Sequence, residues 1–375
     1  MYGAKTCAKS RTRSSRAMIS GARAPRGALT LLALFVVSSC TTPPLETRGT
    51  ERPRYTVIPT ATSAARSPGT APIARIEGSS SSDVESVALD GGALTFVFSG
   101  IDQHLHIGRV FPQGDLQDQR LELAAQHSPW GLGLAVSRDG SRWIGLYQSV
   151  VRLRPDRTLE ELPIPASRPP GLAAEGGRNG EVTTIAVDDA ALYIGRAGIP
   201  ALTRLDLASG RTVALALPDD MPDVARIARG PGGDLFFAAN QHSSPTATES
   251  TAHFRRANGQ VEALPYRGRR LVANSAWVAV ATPDVRFLDA TLNETRAPIP
   301  AGPVGPFDIL ASGELVTLDP TDAAVVIYDL SGRAARRVPI QVRLIDGRID
   351  RLPQFIVADG NAVWVVWGLD VFYVR

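Results

Sequence analysis

Gly230-Pro231-Gly232-Gly233-Asp234-Leu235-Phe236-Phe237 is a glycine-rich turn that leads at once into a strand of bulky apolar residues. Glycine supplies the left-handed backbone of a tight hairpin, and aromatic or β-branched residues suit a pleated, buried strand. The same phrase recurs at Leu89-Asp90-Gly91-Gly92, Val136-Ser137-Arg138-Asp139-Gly140, Val187-Asp188-Asp189, Ala273-Asn274-Ser275, Ala311-Ser312-Gly313 and Asp359-Gly360-Asn361. With Gly91, Gly140, Asp189, Gly233, Ser275, Gly313 and Gly360 as markers, seven hairpins follow one another at steps of 49, 49, 44, 42, 38 and 47 residues. That spacing belongs to propeller blades and not to helical solenoids.

Strands rich in aromatic and β-branched residues follow the markers, as in Leu192-Tyr193-Ile194, Trp277-Val278-Ala279-Val280 and Val363-Trp364-Val365-Val366-Trp367. They suit the packing of one sheet on the next. A third strand comes after them, at Val150-Val151-Arg152-Leu153-Arg154, Leu202-Thr203-Arg204-Leu205-Asp206 and Val325-Val326-Ile327-Tyr328-Asp329. A fourth ends at proline, at Pro163, Pro218, Pro265, Pro298 and Pro339. Proline has no N–H to give a ladder, so it marks the outermost strand of a blade. The seventh unit stops after its third strand, Asp370-Val371-Phe372-Tyr373-Val374-Arg375. The alternating segment Ile73-Ala74-Arg75-Ile76 is placed to supply the missing fourth strand. The reading is an all-β fold over residues 72–375: a β-propeller of seven four-stranded blades, closed by an N-terminal strand at residues 72–78. Six or eight blades, or a pair of β-sandwiches, are the alternatives.

Upstream of the repeats, Lys5, Lys9, Arg11, Arg13, Arg16, Arg23 and Arg26 precede the ten-residue apolar run Ala28–Val37, and no acid occurs before Cys40. The run is too short to span a bilayer. A basic segment, an apolar segment and small residues at a cut are the layout of a secretory signal, which assigns residues 1–39 to a signal peptide. Val37-Ser38-Ser39-Cys40 resembles the lipobox of bacterial lipoproteins. That resemblance implies export, removal of residues 1–39 and a diacylated Cys40 holding the chain to a membrane. The start at Met1 gives an unusually long basic segment and Met18 a conventional one, so either residue can be the true start. The residue after the cysteine is Thr41 and not Asp, which by the same resemblance favours the outer membrane of a Gram-negative cell. Residues 40–71, rich in Thr, Pro, Ser, Ala and Arg, read as a flexible tether from the lipidated cysteine. Cys7 falls in the discarded segment, so the body has no disulfide and no thiolate site.

The repeats resemble those of the streptogramin (virginiamycin B) lyase and NHL-type propellers. Ile107-Gly108-Arg109-Val110, the phrase at residues 230–237 and Asn258-Gly259-Gln260-Val261-Glu262-Ala263-Leu264-Pro265 carry the likeness. The resemblance implies a propeller fold. The lyase needs a metal-binding Glu and a catalytic His facing the central funnel. The acid expected after Leu235-Phe236-Phe237-Ala238-Ala239 is Asn240, so no catalytic residue carries over.

The whole chain carries a formal charge of +3, but its 40 basic residues include the seven before Cys40; the remainder sets 33 arginines, and no lysine, against 37 acids, a net −4. Nucleic acid is not an expected partner, and pairs such as Arg255-Arg256, Arg269-Arg270 and Arg336-Arg337 read as solvated blade edges. In a propeller, the loops joining second to third strands and the loops between blades open on one face. Insertions at Ala166–Gly180 and Gln241–Ala252 fall there and would build a rim. Asp102, His104, Asn240 and His242 are the candidate binding-face residues. His104 and His106 are spaced like a metal edge, but no carboxylate cluster lies nearby in sequence, and no metal site is assigned. Asp308, Gln354 and Asp223 stand near blade starts.

No catalytic residue is identified, and activity as an enzyme stays open with the residues leaning against it. The leading expectation is a monomeric, membrane-anchored binding module for a protein or glycan partner in the cell envelope, with no cofactor. The alternative is a metal-dependent lyase or hydrolase with its site, and a divalent metal, in the central funnel. Three or more Asp, Glu, His or Asn side chains converging in the funnel favour the enzyme; an apolar or arginine-lined funnel favours binding.

Overall fold

The structure is a computed structural model and describes residues 69–77, 84–123, 133–147, 149–164, 180–219, 221, 223–239, 251–255, 258–266, 268, 270–282, 284–300, 306–345 and 348–375. The chain divides into two units, Met1–Arg52, outside the described residues, and Pro53–Arg375, which contains all of them.

The second unit is a ring of seven four-stranded antiparallel blades. β1 (Ala74–Arg75) precedes them. Blade 1 is β2 (Ser86–Asp90), β3 (Ala93–Ser99), β4 (Leu105–Val110) and β5 (Leu116–Arg120). Blade 2 is β6 (Gly133–Val136), β7 (Arg142–Gly145), β8 (Ser149–Leu153) and β9 (Leu159–Pro163). Blade 3 is β10 (Val182–Val187), β11 (Ala191–Arg196), β12 (Ala201–Asp206) and β13 (Thr212–Ala216). Blade 4 is β14 (Arg226–Arg229), β15 (Leu235–Ala238), β16 (Thr251–Arg255) and β17 (Gln260–Ala263). Blade 5 is β18 (Arg270–Ala273), β19 (Val278–Ala281), β20 (Asp284–Leu288) and β21 (Ile299–Pro300). Blade 6 is β22 (Phe307–Ile309), β23 (Leu315–Asp319), β24 (Ala324–Tyr328) and β25 (Ala334–Pro339). A hairpin not anticipated from the sequence, β26 (Leu344–Ile345) with β27 (Arg348–Ile349), lies between blades 6 and 7. Blade 7 is β28 (Pro353–Asp359), β29 (Ala362–Trp367) and β30 (Asp370–Val374), with β1 as its fourth strand.

Each of the seven turn markers joins the first strand of a blade to its second. At Gly230–Asp234 the turn contains a single 3-10 turn, Pro231–Gly233, with Gly232 at φ 67° and Gly233 at φ 80°, a backbone that side chains oppose. Four of the five expected prolines end or follow fourth strands: Pro163 and Pro339 end β9 and β25, and Pro218 and Pro265 stand two residues beyond β13 and β17, whereas Pro298 directly precedes the short β21 instead of ending it. Fourth strands are the exposed ones, and β13 and β25 are largely open to solvent.

The apolar core is distributed in seven clusters, one at each junction between neighbouring blades. Trp143, Phe236, Phe237, Phe287 and Trp364 are fully buried in these junctions. A blade cannot bury its own faces, so each depends on both neighbours, and the ring is stable only when complete. Closure is made by β1, in register Ala74 with Val371 and Arg75 with Asp370. The Ile73 N–H donates to the Val371 carbonyl at 2.9 Å and the Ile76 N–H to that of Leu369 at 2.8 Å. The Arg75 guanidinium pairs with Asp370 at 2.9 Å. Just upstream, Thr70 exchanges backbone bonds with Pro339 and Gln341 at 2.8 Å, tying the same segment to blade 6.

Candidate functional site in the central channel

The first strands of all seven blades line the axis of the ring, and all begin at the same face, here called proximal. The loops from second to third strand and from one blade to the next open on that face too, because strands within a blade alternate in direction. The β26–β27 hairpin also belongs there. Among the described residues, the two most exposed large apolar ones, Leu352 at 74% and Ile101 at 63%, lie in proximal connections of the adjoining blades 7 and 1. A cavity of about 460 Å³ occupies the channel and is bounded by the opening residues of β2, β6, β10, β14, β18, β22 and β28. Its charged and amide groups are Glu85, Arg226, Arg270, Asp308 and Gln354.

These groups are divided around the ring. Arg226 and Arg270 open the first strands of blades 4 and 5 and pair in register with the last residues of the second strands, Ala238 and Ala281. Among the described residues neither guanidinium has a hydrogen-bond or carboxylate partner. Arg226 retains water-accessible surface, yet the channel walls surround it and burial pulls its pKa down. Arg270 is pulled down to about 10, by burial first and then by the charge of Arg226. Acidic and amide groups stand on the other side, on blades 6, 7 and 1. Asp308 accepts N–H bonds from Ile309 and Ala358, both at 2.8 Å, and burial nevertheless raises its pKa to about 6. Glu85 accepts the Ser99 hydroxyl at 2.6 Å, and the Gln354 carbonyl accepts the Val84 N–H at 3.4 Å.

The arginines are a correction to the sequence reading. Arg270, half of a pair taken as solvated blade edge, faces the channel, whereas Arg336 and Arg337 do lie on the exposed outer strand β25. Nothing local in sequence distinguishes the two cases; the position of Arg270 at the start of a first strand does.

Among the sequence candidates, Asp102 and His104 lie in the proximal loop between β3 and β4, and the structure joins them to His106 in β4. The His106 ring is buried and sits between two carboxylates, Nε2 at 3.1 Å from Asp102 and Nδ1 at 3.1 Å from Asp118. Burial pulls the His106 pKa down, but Asp118 and Asp102 outweigh it and leave it raised. Burial likewise pushes Asp102 up, and its bonds from His104 and His106 leave it lowered. Of these two carboxylates, Asp118 comes from twelve residues away in sequence. Asp118 reaches His106 because β5 pairs with β4 and sets Arg120 opposite His106. The result is an imidazole held between two carboxylates inside a blade. His104 turns its Nδ1 to the Asp102 carbonyl at 2.7 Å and does not join a ligand set. Asp308 and Gln354 do meet the channel, while Asp223 is buried outside it and accepts the Gly198 N–H at 3.1 Å. Cys40, Asn240 and His242 lie outside the described residues, as do the signal segment and nearly all of both insertions.

Among the described residues, the groups of this channel do not fit the metal required by the lyase resemblance. Among the described residues no three His, Cys, Asp or Glu side chains are grouped as ligands. The two channel carboxylates are engaged by Ser99 and by backbone N–H groups, and a guanidinium pair occupies the wall of blades 4 and 5. Among the described residues, no helix is long and apolar enough to cross a membrane.

No family model matches the chain, and no curated protein sequence does. Solved structures do. A streptogramin B lyase is similar with a TM-score of 0.56 at 15% identity, over 78% of this chain and 93% of that one. A catalytically inactive virginiamycin B lyase from Staphylococcus aureus, solved with quinupristin, gives 0.54 at 15% identity, over 77% and 93%. YCF48 bound to a D1 peptide gives 0.51 at 11% identity, over 84% and 96%. At such identities the likeness is one of fold: the chain is a seven-bladed β-propeller similar in architecture to these proteins.

Proposed function

We propose that the protein is an exported lipoprotein, anchored through acylated Cys40, whose propeller is a binding module for a protein or glycan partner in the cell envelope. The observation that carries this reading is the channel wall, where, among the described residues, two arginines without carboxylate partners stand in place of a convergent ligand set. Catalysis in a funnel needs several groups held within reach of one reacting atom; recognition needs complementary charge and shape. The proximal face adds the β26–β27 hairpin and the exposed Ile101 and Leu352. A structure of similar fold, YCF48, holds a D1 peptide, so a propeller of this architecture can serve as a peptide receptor. The anchor rests on the lipobox-like Val37-Ser38-Ser39-Cys40 and the basic and apolar segments before it. Two acyl chains suffice for stable attachment without a protein span.

Two measurements test the two halves. Cys40→Ala moves the protein from the membrane to the soluble fraction of lysed cells; retention in the membrane removes the anchor. A photo-crosslinking residue at position 101, on the proximal face, gives a discrete adduct in intact envelopes. The same residue at position 330, where Leu330 is 55% exposed on the opposite face, gives none. Adducts from both positions alike, or from 330 alone, overturn the proximal binding face.

A further inference from the structure

We propose that the proximal end of the channel is a carboxylate-binding site, in which Arg226 and Arg270 clamp an acidic side chain of a polypeptide segment inserted by a partner. The inference deepens the binding-module reading and rests on it.

Four observations converge. First, two guanidiniums at matching positions on adjoining blades face one cavity, and neither has a partner among the described residues. Elsewhere the same chain pairs its arginines readily: Arg142 with Asp90 at 2.6 Å, Arg152 with Asp139 at 2.8 Å, Arg337 with Asp319 at 2.6 Å. Two neighbouring like charges on one channel wall repel each other, and an inserted carboxylate relieves the repulsion through charge-assisted hydrogen bonds. Second, the surroundings make the attraction local. The residues after Cys40 carry 33 arginines against 37 acids, so the net charge of the body repels anions in general.

Third, the cavity of about 460 Å³ exceeds the space an isolated small anion fills, and the half-buried apolar residues Ile227 and Val272 line it beside the arginines. That combination fits a side chain with an acidic tip and a hydrocarbon stem. Fourth, β14 and β18 are ladder-paired on one edge only, to β15 and β19. Their channel-facing edges present backbone donors and acceptors that a polypeptide main chain can use. Part of that edge is already engaged, since the Ile227 N–H donates to the Thr184 hydroxyl of blade 3 at 3.3 Å.

The test uses the full-length chain in detergent at low salt, with tetraglutamate, tetraglutamine and inorganic phosphate as probes. Calorimetric titration is expected to give a dissociation constant at least tenfold lower for tetraglutamate than for tetraglutamine. The double variant Arg226→Gln, Arg270→Gln loses that preference, and Arg138→Gln, at a side chain 88% exposed on a blade 2 turn, keeps it. A thermal melt supplies a second reading. Without ligand the double variant melts at or above the parent, because two unpaired cations are gone, and tetraglutamate raises the melting temperature of the parent only. Equal binding of the two peptides, binding insensitive to the double variant, or a double variant that melts lower overturns the site. Phosphate that competes as well as tetraglutamate overturns the polypeptide assignment. Failure here with adducts persisting from position 101 removes the carboxylate site alone; loss of both removes the binding-module reading as well.

Discussion

Asp308 shows how a single residue acquires its properties from its place in the ring. Its carboxyl sits at the start of a first strand, set among the walls of blades 6 and 7, and two backbone N–H groups only partly offset its burial. With its pKa raised to about 6 from the ordinary 3.8, the folded protein holds a proton that the unfolded chain has released. The unfolded chain thus binds fewer protons between about pH 4 and pH 6. Stability falls as pH rises through that window and levels off above it, by about 3 kcal/mol at most for this group. Asp308→Asn is expected to flatten the slope of melting temperature against pH between 4 and 6; an unchanged slope in differential scanning calorimetry contradicts the assignment. His106 makes the complementary point. Its neighbour Asp102 is visible four residues upstream, but Asp118 arrives through strand pairing, twelve residues away, so the charge balance at the ring could not be read locally.

Elements are where sequence and structure agree most closely, and the reason is steric. The Ile107-Gly108-Arg109-Val110 phrase places glycine in β4 directly beneath the Phe96 ring of β3, its register partner. A Cβ on Gly108 would lie 2.3 Å from the Phe96 Cζ. Phe96 is fully buried between blades 7 and 1 and has little room to give way. Gly108→Ala is therefore expected to destabilise the protein by about 1–3 kcal/mol through overpacking, measured by urea denaturation. A cost below about 0.5 kcal/mol would show that the ring can shift. Turn chemistry is equally legible, since glycines such as Gly232 and Gly233 adopt the positive φ that a hairpin needs. The β26–β27 hairpin was missed because its strands have two residues each, too few to show a period of two.

At the scale of the whole molecule, the ring depends on a few residues far away in sequence. β1 contributes two residues to blade 7, yet Ala74 and Ile76 are buried against it and Arg75 pairs with Asp370 across 295 positions. Without this strand the β30 edge is unpaired and open to other chains. Deletion of residues 69–77 is expected to lower the melting temperature by several degrees and to promote concentration-dependent association. Calorimetry and light scattering check the two effects, and an unchanged, monodisperse melt rules out this role for the segment.

What the sequence by itself determined is the repeating architecture: glycine turns, β-branched second strands and edge prolines are local devices whose spacing points to blades and to a closing strand, while the count of seven is settled by the ring itself. Only the tertiary structure decided which polar residues face the axis. Arg269-Arg270 and Arg336-Arg337 look alike as dipeptides, and the ring sends Arg270 to the channel and Arg337 to a pair with Asp319 and Asp322 on an outer strand. The physical reason is that exposure in a propeller depends on a strand's radial place. Desolvation and charge pairing follow from that place, and both are set by residues from other blades.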